Sequence, residues 1–202
     1  MKRMNDKALV EGTAVQIRDK DDVLSLEYDG ALTVHKSSLW WGTAVGFRAM
    51  QVAANALSQD DKLWARDNLY IVSGHPGPGV RDSIDYITRC PERGNYTVMQ
   101  KPGCDMACNS DMLFEWWVSD GDATVEIKLR PDFISDEFYE LSDRLFAKPT
   151  KEDLKRFDIF KVNLSTRIWN GRLDDNFSVT HLDTPLKPGE LPEHELNPST
   201  EA

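Results

Sequence analysis

Apolar and polar residues alternate with a period of two over Val23–Tyr28, which predicts a strand closed by the turn pair Asp29-Gly30, with Ala31–Val34 as its returning partner. Residues 1–22 are polar and irregular and read as a peripheral arm. The period then changes. Over Gly42–Ser58, Val45, Ala49, Val52 and Ala56 make one helical stripe and Phe47, Met50, Ala54 and Leu57 a second, so this helix is apolar on most sides and belongs in the core. Its small residues, Gly42 and Gly46 among them, suit a close approach by another backbone.

Asn68–Ser73 is a short β-branched run of the kind that forms a buried strand, and it ends in the loop Gly74-His75-Pro76-Gly77-Pro78-Gly79. Val80, Ile84 and Ile87 then repeat at helical spacing to about Arg89. Asn95–Gln100 and Met112–Ser119 read as further strands, the second joined to Ala123–Arg130 through Asp120-Gly121 as an antiparallel hairpin. Pro131 stops that strand, Ser135–Ala147 reads as a helix capped by Ser135, and Thr150-Lys-Glu-Asp153 resembles a capping box opening a helix to about Arg167. Residues 1–181 therefore form one domain. Residues 182–202, acidic and rich in proline, form a tail that is extended or disordered, and deleting residues 185–202 should leave the fold and its thermal stability nearly unchanged.

Composition narrows the function classes. The 202 residues hold 34 Asp+Glu against 24 Lys+Arg, a net charge of −10, with no long basic run, which argues against nucleic-acid binding and against an anionic membrane surface. No window is apolar enough for a membrane span or a secretory leader, and three cysteines are an odd count for a disulfide framework, so a cytoplasmic setting with reduced thiols is expected.

The Gly74–Gly79 loop, between a strand and a helix N-terminus, can cradle an anion through its amides, with Gly77 and Gly79 as the closest backbone. It lacks both the P-loop Gly-Lys-Ser/Thr and the dinucleotide glycine spacing, and tight glycine connections are commonly structural. His75 in that loop and His35 before the first buried helix can each serve as a neutral metal ligand or a general acid/base, although a lone histidine is more often a hydrogen-bonded structural residue. Cys104 and Cys108 form a Cys-x3-Cys pair poorly spaced for a zinc ribbon, and no catalytic nucleophile–base pair stands at an informative spacing.

Leu39, Gly42, Gly46, Arg48 and Ala49 of the first buried helix, with Asp82-Ser83-Ile84-Asp85, Thr88, Cys90 and Arg93-Gly94-Asn95 after the second strand, resemble motifs of the FmdE family, named for a component of formylmethanofuran dehydrogenase, over roughly residues 34–96. The resemblance implies an α+β fold, with a mixed, largely antiparallel sheet backed by helices, to which Ser135–Arg167 adds C-terminal helices. It also implies a transition metal near these motifs. The family's usual His falls on Ser38, and its cysteines fall on Trp40 and Gly79, so only Cys90 keeps a soft ligand in register. His35 and His75 are then the replacement ligands for zinc, iron, nickel or copper. Two histidines flanked by Trp40 and Trp41 would also suit a non-covalent haem. The expected function is thus metal or metal-cofactor binding beside the glycine loop. The alternatives are a small-molecule enzyme using His75 as acid/base with an anion in the loop, or a non-catalytic accessory protein. A homodimer is expected, formed through the first buried helix or the pairs Trp40-Trp41 and Trp116-Trp117, and a redox or metalloenzyme protein is a further candidate partner.

Overall fold

A computed structural model describes residues 12–34, 40–58, 62–99 and 111–196, with Trp40 placed by its backbone alone. The chain begins with β1 (Ala14–Asp19) and β2 (Asp22–Glu27), an antiparallel hairpin turned at Lys20, whose φ is +55°. The strand expected at Val23–Tyr28 is therefore present, but its partner precedes it. Val15 and Ile17 point inward from β1 while Gln16 and Arg18 point out, so the supposed arm carries a strand's period within its polar composition. The expected returning strand at Ala31–Val34 is instead helical, the end of α1 (Tyr28–Val34).

α2 (Trp40–Leu57) lies at the centre, with Ala44, Val45, Phe47, Ala49, Met50, Val52 and Ala53 all fully buried. β3 (Tyr70–Ser73) leads through the Gly74–Gly79 loop into α3 (Pro78–Thr88), which has Pro78 at its first position and stops where Arg89 turns left-handed at φ +59°. α4 (Cys90–Arg93) is a single turn closed by Gly94, at φ +76°, and feeds β4 (Tyr96–Val98). β5 (Glu115–Ser119) and β6 (Thr124–Leu129) form the expected hairpin through Asp120, whose side chain accepts from the backbone N–H of Asp122 and Ala123 at 3.0 and 2.8 Å.

α5 (Asp136–Ala147) and α6 (Lys151–Asn170) make a helical hairpin. The capping box at the start of α6 is formed in full: Thr150 Oγ1 accepts from the Asp153 N–H and the Asp153 carboxylate accepts from the Thr150 N–H, each at 3.1 Å. Ser135 stands at the N-cap of α5 but makes no side-chain capping bond. α7 (Leu173–Asn176), one turn, leads into β7 (Phe177–His181), a strand not anticipated from the sequence.

The sheet order is β4-β3-β5-β6-β7, with β3 and β4 parallel and the other pairs antiparallel, so the α+β class and the largely antiparallel mixed sheet are both as expected. One face, with Ile71, Trp116, Val118, Val125 and Ile127, packs into the same core as α2 and α3. The other face carries Tyr70, Val72 and Trp117, and it is covered by Met99 and the chain after β7.

That covering segment bears on two expectations. Residues 182–196 follow an irregular path and are docked: Leu182, Leu186 and Leu196 pack on the Trp117 face, Ser119 Oγ donates to the Leu186 carbonyl at 2.7 Å, and Tyr70 OH donates to the Glu190 carbonyl at 2.7 Å. Few apolar residues suffice because they are spaced to reach one exposed sheet face. With Trp116 and Trp117 both within 1 % of full burial, each side of β5 is covered by this chain, and Trp41 is buried too. Among the described residues α2 has no uncovered side and the Trp116-Trp117 pair has no exposed member, so neither supports the expected homodimer, while the Trp40 side chain lies outside them. No helix among them is long and apolar enough to cross a membrane.

Candidate functional site

α2 and α3 cross at bare glycine. A methyl group on Gly42 would stand 3.3 Å from the Gly79 Cα and from the Val80 backbone nitrogen, and one on Gly46 would stand 3.1 Å from the Val80 Cα. This contact fixes the first turn of α3 against the start of α2 and positions the loop before it. His75 is held in that loop by the backbone: its Nδ1 accepts from the Gly77 N–H at 2.9 Å, and its carbonyl accepts from Ser73 Oγ at 3.0 Å.

The loop borders a cavity of about 270 Å³. Trp41, Gly42, His75 and Gly77–Gly79 form one wall, and Met112 and Phe114 continue it from the approach to β5. The opposite wall comes from the α5–α6 hairpin, through Phe138, Leu145, Phe146, Phe157 and Lys161. The lining is overwhelmingly apolar and aromatic. His75 meets Phe114 edge to face with ring centroids 4.7 Å apart, and Phe138 stacks on Phe157 at 5.4 Å.

Two polar side chains on this lining decide its chemistry. His75 is 97 % removed from solvent (3 % exposed), and burial pushes its pKa down to about 4, so the ring is neutral at pH 7. With Nδ1 accepting from Gly77, the proton resides on Nε2, which has no acceptor among the described residues. At neutral pH His75 therefore offers a hydrogen bond to a ligand and does not exchange charge. Lys161 is 6 % exposed, pairs with Asp158 at 2.7 Å, and holds its ammonium 5.4 Å from the Phe157 ring centroid.

The structure thus brings together Trp41, His75, Gly77 and Gly79 of the residues expected to bind a ligand. It does not bring Cys90 to them. His75 precedes α3 and Cys90 follows it, so the 11-residue helix, about 16 Å long, separates the two. Cys90 is buried, its thiol is directed to the Leu69 carbonyl at 3.5 Å, and burial raises its pKa to about 11. A thiol in that state is a poor metal ligand. His35, the Cys104-Cys108 pair and the Trp40 side chain lie outside the described residues.

The metal implied by the FmdE resemblance does not fit the donors that are described. His75 has one nitrogen to give, Cys90 is remote, and among the described residues no group of three His, Cys, Asp or Glu side chains stands together as a ligand set. Lys161 was not singled out from the sequence, yet a signal existed. On α6, Phe157, Lys161, Leu164 and Ile168 fall on one helical stripe, and a lysine amid such a stripe is a charge turned toward the core. No protein-family model matches the chain, and no curated protein matches it.

Proposed function

We propose that the protein binds a small, mainly apolar organic molecule in the cavity between the Gly74–Gly79 loop and the α5–α6 hairpin. The observation that carries this reading is the cavity itself: about 270 Å³ lined by aromatic and aliphatic side chains, with His75 and Lys161, among the described residues, to orient a guest. That combination of an apolar wall with a few convergent polar groups is the usual make-up of a ligand site. A dry apolar cavity of about 150 Å³ accepts benzene. By that measure this one takes about ten to twelve non-hydrogen atoms, far fewer than a haem carries. Among the described residues a metal-centred function lacks a donor set at this cavity, and His75, the histidine on its lining, is neutral at pH 7 and so offers a hydrogen bond rather than a charge.

Ligand-observed saturation-transfer NMR with octan-1-ol tests the reading. Binding is expected to the full chain and to be abolished by Leu145→Trp, which places an indole in the cavity from a half-buried position on α5. Absence of saturation transfer to the alcohol, or equal transfer in the Leu145→Trp variant, would reject the site.

A further inference from the structure

Resting on the cavity reading above, we infer that the ligand's head group is a carboxylate, received between the first turn of α3, His75 and Lys161. Among the described residues, the polar side chains on the lining that can meet a guest, His75 and Lys161, are donors. His75 presents Nε2–H because its other nitrogen is bound to Gly77. Lys161 brings a positive charge, and its partner Asp158 is itself 59 % exposed, toward solvent. No Asp or Glu lines the cavity among the described residues.

The backbone adds a donor of the same sign. In α3 the first intrahelical acceptor, the Gly77 carbonyl, takes the Arg81 N–H at 3.2 Å, while Pro78 has no N–H to offer. The N–H group of Gly79, which lines the cavity, remains without an acceptor among the described residues, at the positive end of an 11-residue helix. The Val80 nitrogen is instead packed against α2, where a Cβ at Gly42 would stand 3.3 Å from it. Buried donors of this kind are costly to leave unpaired, and a carboxylate supplies up to four lone-pair sites together with the opposite charge. An alcohol brings no charge, and an amine brings donors to a wall of donors. With room for about ten to twelve non-hydrogen atoms, the fitting class is a medium-chain alkanoate or an arylalkanoate.

Isothermal titration of the full chain at pH 7.5 with sodium octanoate, octan-1-ol and octylamine separates this inference from the reading beneath it. Octanoate should bind about tenfold or more tightly than the alcohol, with the amine weakest. Lys161→Met and His75→Asn, the latter keeping an oxygen that can accept from Gly77, should each weaken octanoate about tenfold and octan-1-ol by a clearly smaller factor. Circular dichroism and thermal melts matching wild type show that each variant is folded. Equal affinity for octanoate and octan-1-ol, or octanoate binding indifferent to both substitutions, would overturn the carboxylate and leave the cavity standing. Failure of all three compounds to bind would overturn both.

Discussion

Replacing Gly46 by alanine should destabilise the protein, although the position lies inside a helix where alanine is ordinarily the better residue. In an unencumbered helix the exchange gains about 0.5–1 kcal/mol, because glycine loses more backbone freedom on folding. Here the new methyl would stand 3.1 Å from the Val80 Cα, 3.2 Å from the Val80 carbonyl oxygen and 3.4 Å from the Ser83 Cβ. Two of those three atoms are backbone, and Val80 is fully buried, so no side-chain rotation relieves the contact. Helix α3 must shift by a few tenths of an ångström, and overpacking of this kind costs about 1–3 kcal/mol. Subtracting the propensity gain leaves a net loss of about 1 kcal/mol, or about 2–4 °C in Tm for a chain of this size. Urea titration monitored by circular dichroism, with thermal melts of wild type and Gly46→Ala in parallel, measures it directly. A Tm equal to or above wild type would show that α3 yields freely, and would refute the view that two glycines set the spacing of α2 and α3.

Between pH 7 and pH 5 the protein should lose about 2 kcal/mol of stability through His75, because its folded pKa of about 4 lies below the ordinary 6.5. The unfolded chain takes up the proton first, so the contribution is present above pH 6.5 and is lost as pH falls toward 4; His75→Asn should flatten that part of the urea-midpoint profile, and an unchanged profile would contradict it. Deleting residues 183–202 removes the cover of Trp117 and the Ser119 and Tyr70 hydrogen bonds to residues 186 and 190, which should cost on the order of a few kcal/mol and raise acrylamide quenching of tryptophan fluorescence; retention of the wild-type Tm and quenching would show the docked segment to be dispensable. Cys90, with its thiol raised to about 11 by burial, should resist iodoacetamide at pH 8 in the native protein and react once unfolded, as peptide mass spectrometry would report; prompt native labelling of Cys90 would contradict its burial.

Most of the architecture is legible in the sequence because the long periodic runs are unambiguous. Trp40–Leu57 is apolar around its circumference, Pro78–Thr88 follows a proline with helical spacing, and the Asp120-Gly121 pair marks its hairpin. What escaped were elements whose signals are short or compete. Ala14–Asp19 places two inward residues among charges, and Phe177–His181 places Phe177 and Val179 between polar residues at a sheet edge. Asp29-Gly30 reads as a turn, but the tertiary setting puts it in α1, where Gly30 lies against the Tyr86 hydroxyl. Part of the candidate site was legible in the same way. The glycine loop, His75 and Trp41 are local features of one stretch of chain, whereas the facing wall of Phe138, Phe157 and Lys161 arrives from residues some 60 to 85 positions later. Such a meeting is set by how the α5–α6 hairpin folds back, and no local pattern announces it.

The two-sided sheet has a consequence for the order in which the chain can mature. Tyr70 in β3 and its hydrogen-bond partner Glu190 are 120 positions apart. At ordinary synthesis rates of about 5–20 residues per second, about 6–24 seconds separate the emergence of the two. Throughout that interval β3, and later β5 with Trp117, has no cover on one side, because Leu182, Leu186 and Leu196 have yet to leave the ribosome. The half-built sheet is consequently an adhesive surface of the nascent chain, one that a chaperone, or translation of the last third of the message without pausing, would keep from sticking elsewhere.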